Sequence, residues 1–193
     1  GAKWVDALAH DSEYDYDPVW ARCEELGVSP TFHHPGMGWG SRLSRDNYTY
    51  NQIGHFAAAG EAICRALFLG GVTARFPKLR FAFLEGGVAW GASLLAALTG
   101  VYEKRNVDAI ESLNPSKLDR SLLLDLLREH GPDPIRNRLD RIEEGFLLLS
   151  DPDDPPGSRD DFAASGVKGP GEIQDVFSER FFFGCEADDP MNA

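Results

Sequence analysis

Three stretches of the chain carry residues able to do chemistry, and each comes directly after a short apolar run. His33-His34 follows Gly27–Phe32, and Glu85 follows Leu79–Leu84 and precedes Gly86-Gly87. Glu186, Asp188 and Asp189 follow Arg180–Gly184. Imidazole and carboxylate together suit zinc, manganese or iron. Such an ion lowers the pKa of a coordinated water toward neutrality and polarises a substrate oxygen. The spacing between the stretches is wide, so no local motif ties them together; a common edge of a parallel sheet would.

Each candidate has a plainer alternative. His34, before Pro35-Gly36, is either a metal ligand or a loop histidine bonded to backbone. His33 points to the opposite side from His34 if the strand continues through it. Glu85 at a strand end is either functional or an N-cap partner for the helix near Trp90. Glu186 and Asp188 compete for one carboxylate role, and Asp189 before Pro190 also suits a turn. His55 lies beside the apolar stripe of a helix, where a satisfied structural histidine is the ordinary reading. His10 and His130 read as surface or helix-end residues; a helix C-terminus favours the latter through the macrodipole.

The elements that must position these residues are legible in the pattern. Asp17 with Pro18 opens a helix that stops at Gly27, and Val28–Phe32 is a short strand. Pro35–Tyr50 is a glycine- and aromatic-rich loop, long for a connection between strand and helix, and long loops tend to carry function. Residues 51–69 form a helix on the spacing of Ile53, Phe56, Ile63 and Leu67. Phe76-Pro77 opens a turn into the strand Leu79–Leu84, whose near-continuous apolar content predicts burial on both faces. Trp90–Tyr102 is helical again. Ser116 caps a further helix with Asp119 in the capping-box place, and Leu118, Leu122, Leu123 and Leu126 form its core face. A second helix from about Pro134 carries Ile135, Leu139, Ile142 and Phe146, making a helical hairpin. Asp151–Asp161 is a solvated acidic loop, and Arg180–Gly184 is the last strand.

Successive strand–helix units place all three sets of candidates at strand C-termini, the edge where the chemistry of an α/β barrel sits. The predicted fold is therefore α/β: a partial TIM-type barrel of parallel strands, one domain over residues 1–193, with a mostly helical insertion over 106–178.

Composition narrows the classes. The 193 residues are 42% hydrophobic, enough for one sizeable core but short of the roughly 250 residues of a complete eight-unit barrel. A formal net charge of −12 argues against a nucleic-acid partner and against anionic membranes. The three cysteines, Cys23, Cys64 and Cys185, are widely spaced, which fits a reducing cytoplasm better than a disulfide scaffold. No apolar run reaches the length of a membrane span, and the N-terminus is not a signal peptide. Both ends read as cut within a longer fold.

Taken together, the residues resemble the amidohydrolase-related (amidohydrolase 2) family, metal-dependent barrel enzymes that include aminocarboxymuconate-semialdehyde decarboxylase. The resemblance rests on His34-Pro35 after a helix and strand, and on Gly71, Val72, Arg75, Phe76, Pro77 and Leu79 leading into a strand. Gly184-Cys185-Glu186 is similar to the Gly-x-Asp that ends the family's last barrel strand. It implies a divalent metal, zinc first, held by His34 with Glu186 or Asp188, and catalytic roles for Glu85 and Glu186. It implies hydrolysis or non-oxidative decarboxylation of a small carboxylated or aromatic molecule. Phe32, Trp39, Tyr48, Tyr50 and Trp90 are available for an apolar pocket rim or for packing.

Two departures stand out. Glu85 occupies the place where the family's decarboxylases commonly carry a histidine, and the sequence contains no His-x-His, the pair supplied by the family's first strand. The chain thus resembles the C-terminal half of such an enzyme. The expectations are a homodimer or higher oligomer through exposed strand edges, and weak metal binding in isolation. The rival class is an inert partial barrel that binds or assembles without turnover.

Overall fold

A computed structural model of the chain describes residues 6–10, 12–33, 44–111, 114, 117, 119–142 and 160–187. It divides into two compact units, one of residues 1–103 with 162–193 and one of residues 104–161.

The first unit is built on a parallel sheet of three strands, β1 (Thr31–Phe32), β2 (Phe81–Phe83) and β3 (Phe181–Phe183), in the order β1-β2-β3. Thr31 pairs with Ala82, and Ala82 with Phe182; Phe32 pairs with Phe83, and Phe83 with Phe183. The ladder runs past the strand ends, since Leu84 N–H donates to the Phe32 carbonyl at 2.9 Å and Gly184 N–H to the Phe83 carbonyl at 2.7 Å. The residues just C-terminal to each strand therefore emerge at one edge.

Helices cover the face that carries Phe81, Phe83 and Phe181. They are α1 (Asp17–Leu26), α3 (His55–Leu69), the short α4 (Val72–Arg75), α5 (Ala89–Arg105) and α9 (Pro170–Arg180), with α2 (Tyr48–Gln52) ahead of α3. Trp20, Leu67, Phe68, Val72, Phe81, Ile173 and Phe177 are buried in one cluster. Trp20 meets Phe81 edge-on at 5.7 Å, and Phe177 bridges Phe68 and Phe181. Burying each large side chain contributes about 1.5–3 kcal/mol, so this cluster is the main source of stability.

On the opposite face the alternation places Thr31, Ala82 and Phe182, of which Thr31 and Phe182 are exposed. The expected burial of the strand on both faces fails: only the face of Phe81 and Phe83 is buried, Ala82 is half-buried and Leu84 is exposed. The sheet is parallel and mixed with helices, as an α/β reading requires.

Local expectations are corrected at several points. Asp17 does not cap α1; Tyr16 holds that position, with Pro18 in the first turn and Gly27 ending the helix at φ +64°. The predicted helix over 51–69 is two helices, broken at Gly54, which takes φ +70°. α9 has no counterpart among the expected elements, although Pro170 at its start and Ile173 and Phe177 on its buried face are the usual signs of a helix.

In the second unit, the short α6 (Val107–Ile110) is followed by α7 (Arg120–His130) and the single-turn α8 (Asp133–Arg136). Asp119 is itself the N-cap of α7, accepting from Leu122 N–H at 2.9 Å. Ser116, Leu118 and Phe146 lie outside the described residues. Leu122 and Leu126, expected in a core, are 55% and 46% exposed.

Candidate functional site

The site stands at the C-terminal edge of the sheet. β1 ends one residue before His33, β2 two before Glu85 and β3 three before Glu186. All three strands are parallel, so the three residues emerge on the same side. His34 and Asp188, the other candidate ligands, lie outside the described residues, as do Asp189 and Trp39.

Glu85 turns the chain in an unusual way. Its φ is +57°, the left-handed region, which costs a non-glycine residue about 1–2 kcal/mol. Its carboxylate Oε1 lies 3.0 Å from His33 Nε2. The two side chains are 50% and 53% exposed, and an ion pair or hydrogen bond in such a position contributes at most about 1 kcal/mol. The contact therefore does not offset the backbone strain with any surplus. His33, which alternation directs away from the site, is the histidine seen against Glu85. The reason is geometric: the strand stops at Phe32, and the left-handed turn at Glu85 ends alternation there.

The turn is shaped by packing beneath it. A Cβ added at Gly86 would lie 2.8 Å from Trp90 Nε1 and 3.6 Å from the backbone of Ala57, so glycine is required by close approach. Trp90 meets Phe83 and Phe183 edge-on at 5.3 and 4.8 Å, and Phe32 stacks on Phe83 at 5.3 Å. Phe32 and Trp90 are thus packing residues rather than a pocket rim. Tyr48 and Tyr50 are exposed on α2.

The first turn of α3 stands over the same edge. Phe56 places its ring 5.7 Å from that of His33, and Ala57 faces Gly86. His55, the first residue of α3, is buried and its Nδ1 is hydrogen-bonded to the Gln52 carbonyl. Glu186 is exposed.

The sequence around this edge matches a known family. A family model described as amidohydrolase matches residues 3–146. The chain belongs to the amidohydrolase family. The match takes in His33, His34, His55 and Glu85 and ends before β3. No solved structure matches the chain.

Amidohydrolases usually work with divalent metal ions. The donors at this edge fit such an ion in kind, imidazole and carboxylate. They do not make a centre by themselves: among the described residues no three histidine, cysteine, aspartate or glutamate side chains gather around one point. Among those residues, too, no helix is long and apolar enough to cross a membrane.

Proposed function

We propose that this amidohydrolase acts on a small carboxylated or aromatic molecule, by hydrolysis or non-oxidative decarboxylation, at the C-terminal edge of the sheet. The single observation that carries the reading is Glu85: a carboxylate held in a left-handed backbone beside His33, at the edge where parallel α/β proteins do chemistry. Glycine closes such a turn without strain, and two glycines follow Glu85 directly.

In this reading Glu85 is the acid/base. Its carboxylate is solvent-accessible and can reach a substrate proton, with His33 Nε2 beside it at 3.0 Å. Glu186 is a second carboxylate of the site. A divalent ion, zinc first, is assigned to His34, Glu186 and Asp188; when bound it supplies Lewis acidity toward a substrate oxygen. The parallel sheet with helices on one face is read as an arc of a TIM-type barrel.

The test is turnover of a panel of small aromatic and aliphatic carboxylic acids, amides and lactones by the zinc- or manganese-supplemented protein. Activity in the wild type that is lost in Glu85→Gln supports the reading. Activity undiminished in Glu85→Gln overturns Glu85 as the acid/base.

A further inference from the structure

We infer that His55 is a positioning residue for the His33–Glu85 pair, acting through the ring of Phe56. The inference rests on the reading that this pair is the chemical group of the site.

The starting point is a fixed imidazole. His55 is only 8% exposed, and its Nδ1 is bonded to the carbonyl of Gln52. A carbonyl can only accept, so Nδ1 carries the proton and donates it. That bond settles both the tautomer and the orientation of the ring. It depends on the left-handed Gly54, φ +70°, which lets α2 stop at Gln52 and α3 start at His55. Residue 55 is thereby turned back onto the last residue of the preceding helix.

The fixed ring then supports its neighbour. Phe56 lies against His55 with centroids 4.3 Å apart and planes tilted by 44°. The same Phe56 ring meets His33 at 5.7 Å, tilted by 46°. His33 in turn holds Glu85 at 3.0 Å. The contacts run without a gap from the backbone of Gln52 to the carboxylate of Glu85.

Such a support has a physical purpose. His33 and Glu85 are both about half exposed, and an exposed pair gains little over the side-chain freedom it gives up. Left alone, two such side chains sample several rotamers. A ring packed against one side of the imidazole removes some of them, and a neighbour that is itself hydrogen-bonded keeps that ring from turning away. A histidine present only to satisfy the Gln52 carbonyl would make the same bond and leave His33 indifferent to its loss.

The experiment reads the His33 ring directly. The chain has five histidines, so ¹³C/¹⁵N labelling of histidine gives a spectrum simple enough to assign, with His33→Asn identifying the signal at one fixed pH. Glu85→Gln sets the His33 position expected when the carboxylate contact is altered. In His55→Phe and in Phe56→Leu the His33 signal should move most of the way to that position. In His55→Asn, which keeps an N–H to donate to Gln52 but loses the ring packed on Phe56, it should move part of the way. His33 signals unmoved in Phe56→Leu, or in a folded His55→Phe, overturn the inference. Should His55→Phe not fold, Phe56→Leu decides alone, because it leaves the His55 bond in place. Turnover separates this from the underlying reading: full activity in Glu85→Gln overturns that reading, whereas lost activity with an indifferent His33 overturns only the positioning role.

Discussion

The two ends of β2 are built to different specifications. At the approach, Arg75 Nε and Nη2 donate to the two carboxylate oxygens of Asp17 at 2.7 and 2.8 Å, and Nη1 donates to the Gly70 carbonyl at 2.8 Å. The bonds to Asp17 hold the guanidinium above its already high ordinary pKa, so it stays charged. Lys78 N–H donates to Glu24 at 3.0 Å, and Val72 and Leu79 are buried. The left-handed position there is a glycine, Gly71, at φ +74°. At the exit, the left-handed positions are Gly87 at φ +71° and, before it, Glu85 at φ +57°. Glycine stands where the backbone alone must be served. On the proposed function, a glutamate stands where a carboxylate is wanted despite the backbone.

A third position shows that the strain is not simply tolerated anywhere. Leu8 is the other non-glycine residue with a left-handed φ among those described, at +66°. Its N–H is held by Asp6 at 2.8 Å, Asp6 also accepts from Ser12 and Tyr16, and Leu8 packs on the core. Leu8 is embedded in compensating interactions. Glu85 has a half-exposed histidine.

The contrast can be broken or sharpened by substitution. The largest effect is expected at the exit and on turnover: Glu85→Gln should lower kcat by about 10²–10⁴-fold, the usual contribution of a general acid or base, with the melting temperature nearly unchanged. Next comes the approach, on stability. A Cβ at Gly71 would lie 2.2 Å from the Ala164 carbonyl in a left-handed backbone. Gly71→Ala should therefore cost about 3 kcal/mol, read by denaturant unfolding. Gly86→Ala presses on Trp90 Nε1, which has no hydrogen-bond partner among the described residues. It should cost about 1–2 kcal/mol and shift the Trp90 indole signal. The smallest is Arg75→Met, worth under about 1 kcal/mol because both partners are partly exposed, and shrinking further with added salt. An Arg75→Met loss larger than that of Gly71→Ala would invert the account of the approach.

How much of this was legible in the sequence depends on which rule applied. Apolar runs bounded by glycine and proline located β1, β2 and β3, and the polar residues at the C-terminal ends of the last two runs singled out Glu85 and Glu186 as candidates. That His33 stands against Glu85 was not legible. Alternation holds only while a strand lasts; β1 ends at Phe32, and the φ of Glu85 has no signature in a Glu-Gly-Gly string. Gly54 was hidden inside an amphipathic stripe that reads smoothly across it, so the turn that brings His55 onto Gln52 was invisible. Asp17 looks like a cap because Asp-Pro usually is one, and a partner 58 residues away, Arg75, takes its carboxylate instead.

The central claim is that Glu85 is kept for its carboxylate and against its backbone, and Glu85→Gly tests it most directly. Glycine removes a left-handed penalty of about 1–2 kcal/mol, against a loss of about 0.5–1 kcal/mol in chain entropy and under about 1 kcal/mol from the exposed pair. Thermal unfolding and turnover measured on the same preparation should give a melting temperature close to or above the wild type, with activity lost. A melting temperature lowered by several degrees, or turnover that survives, would contradict the account.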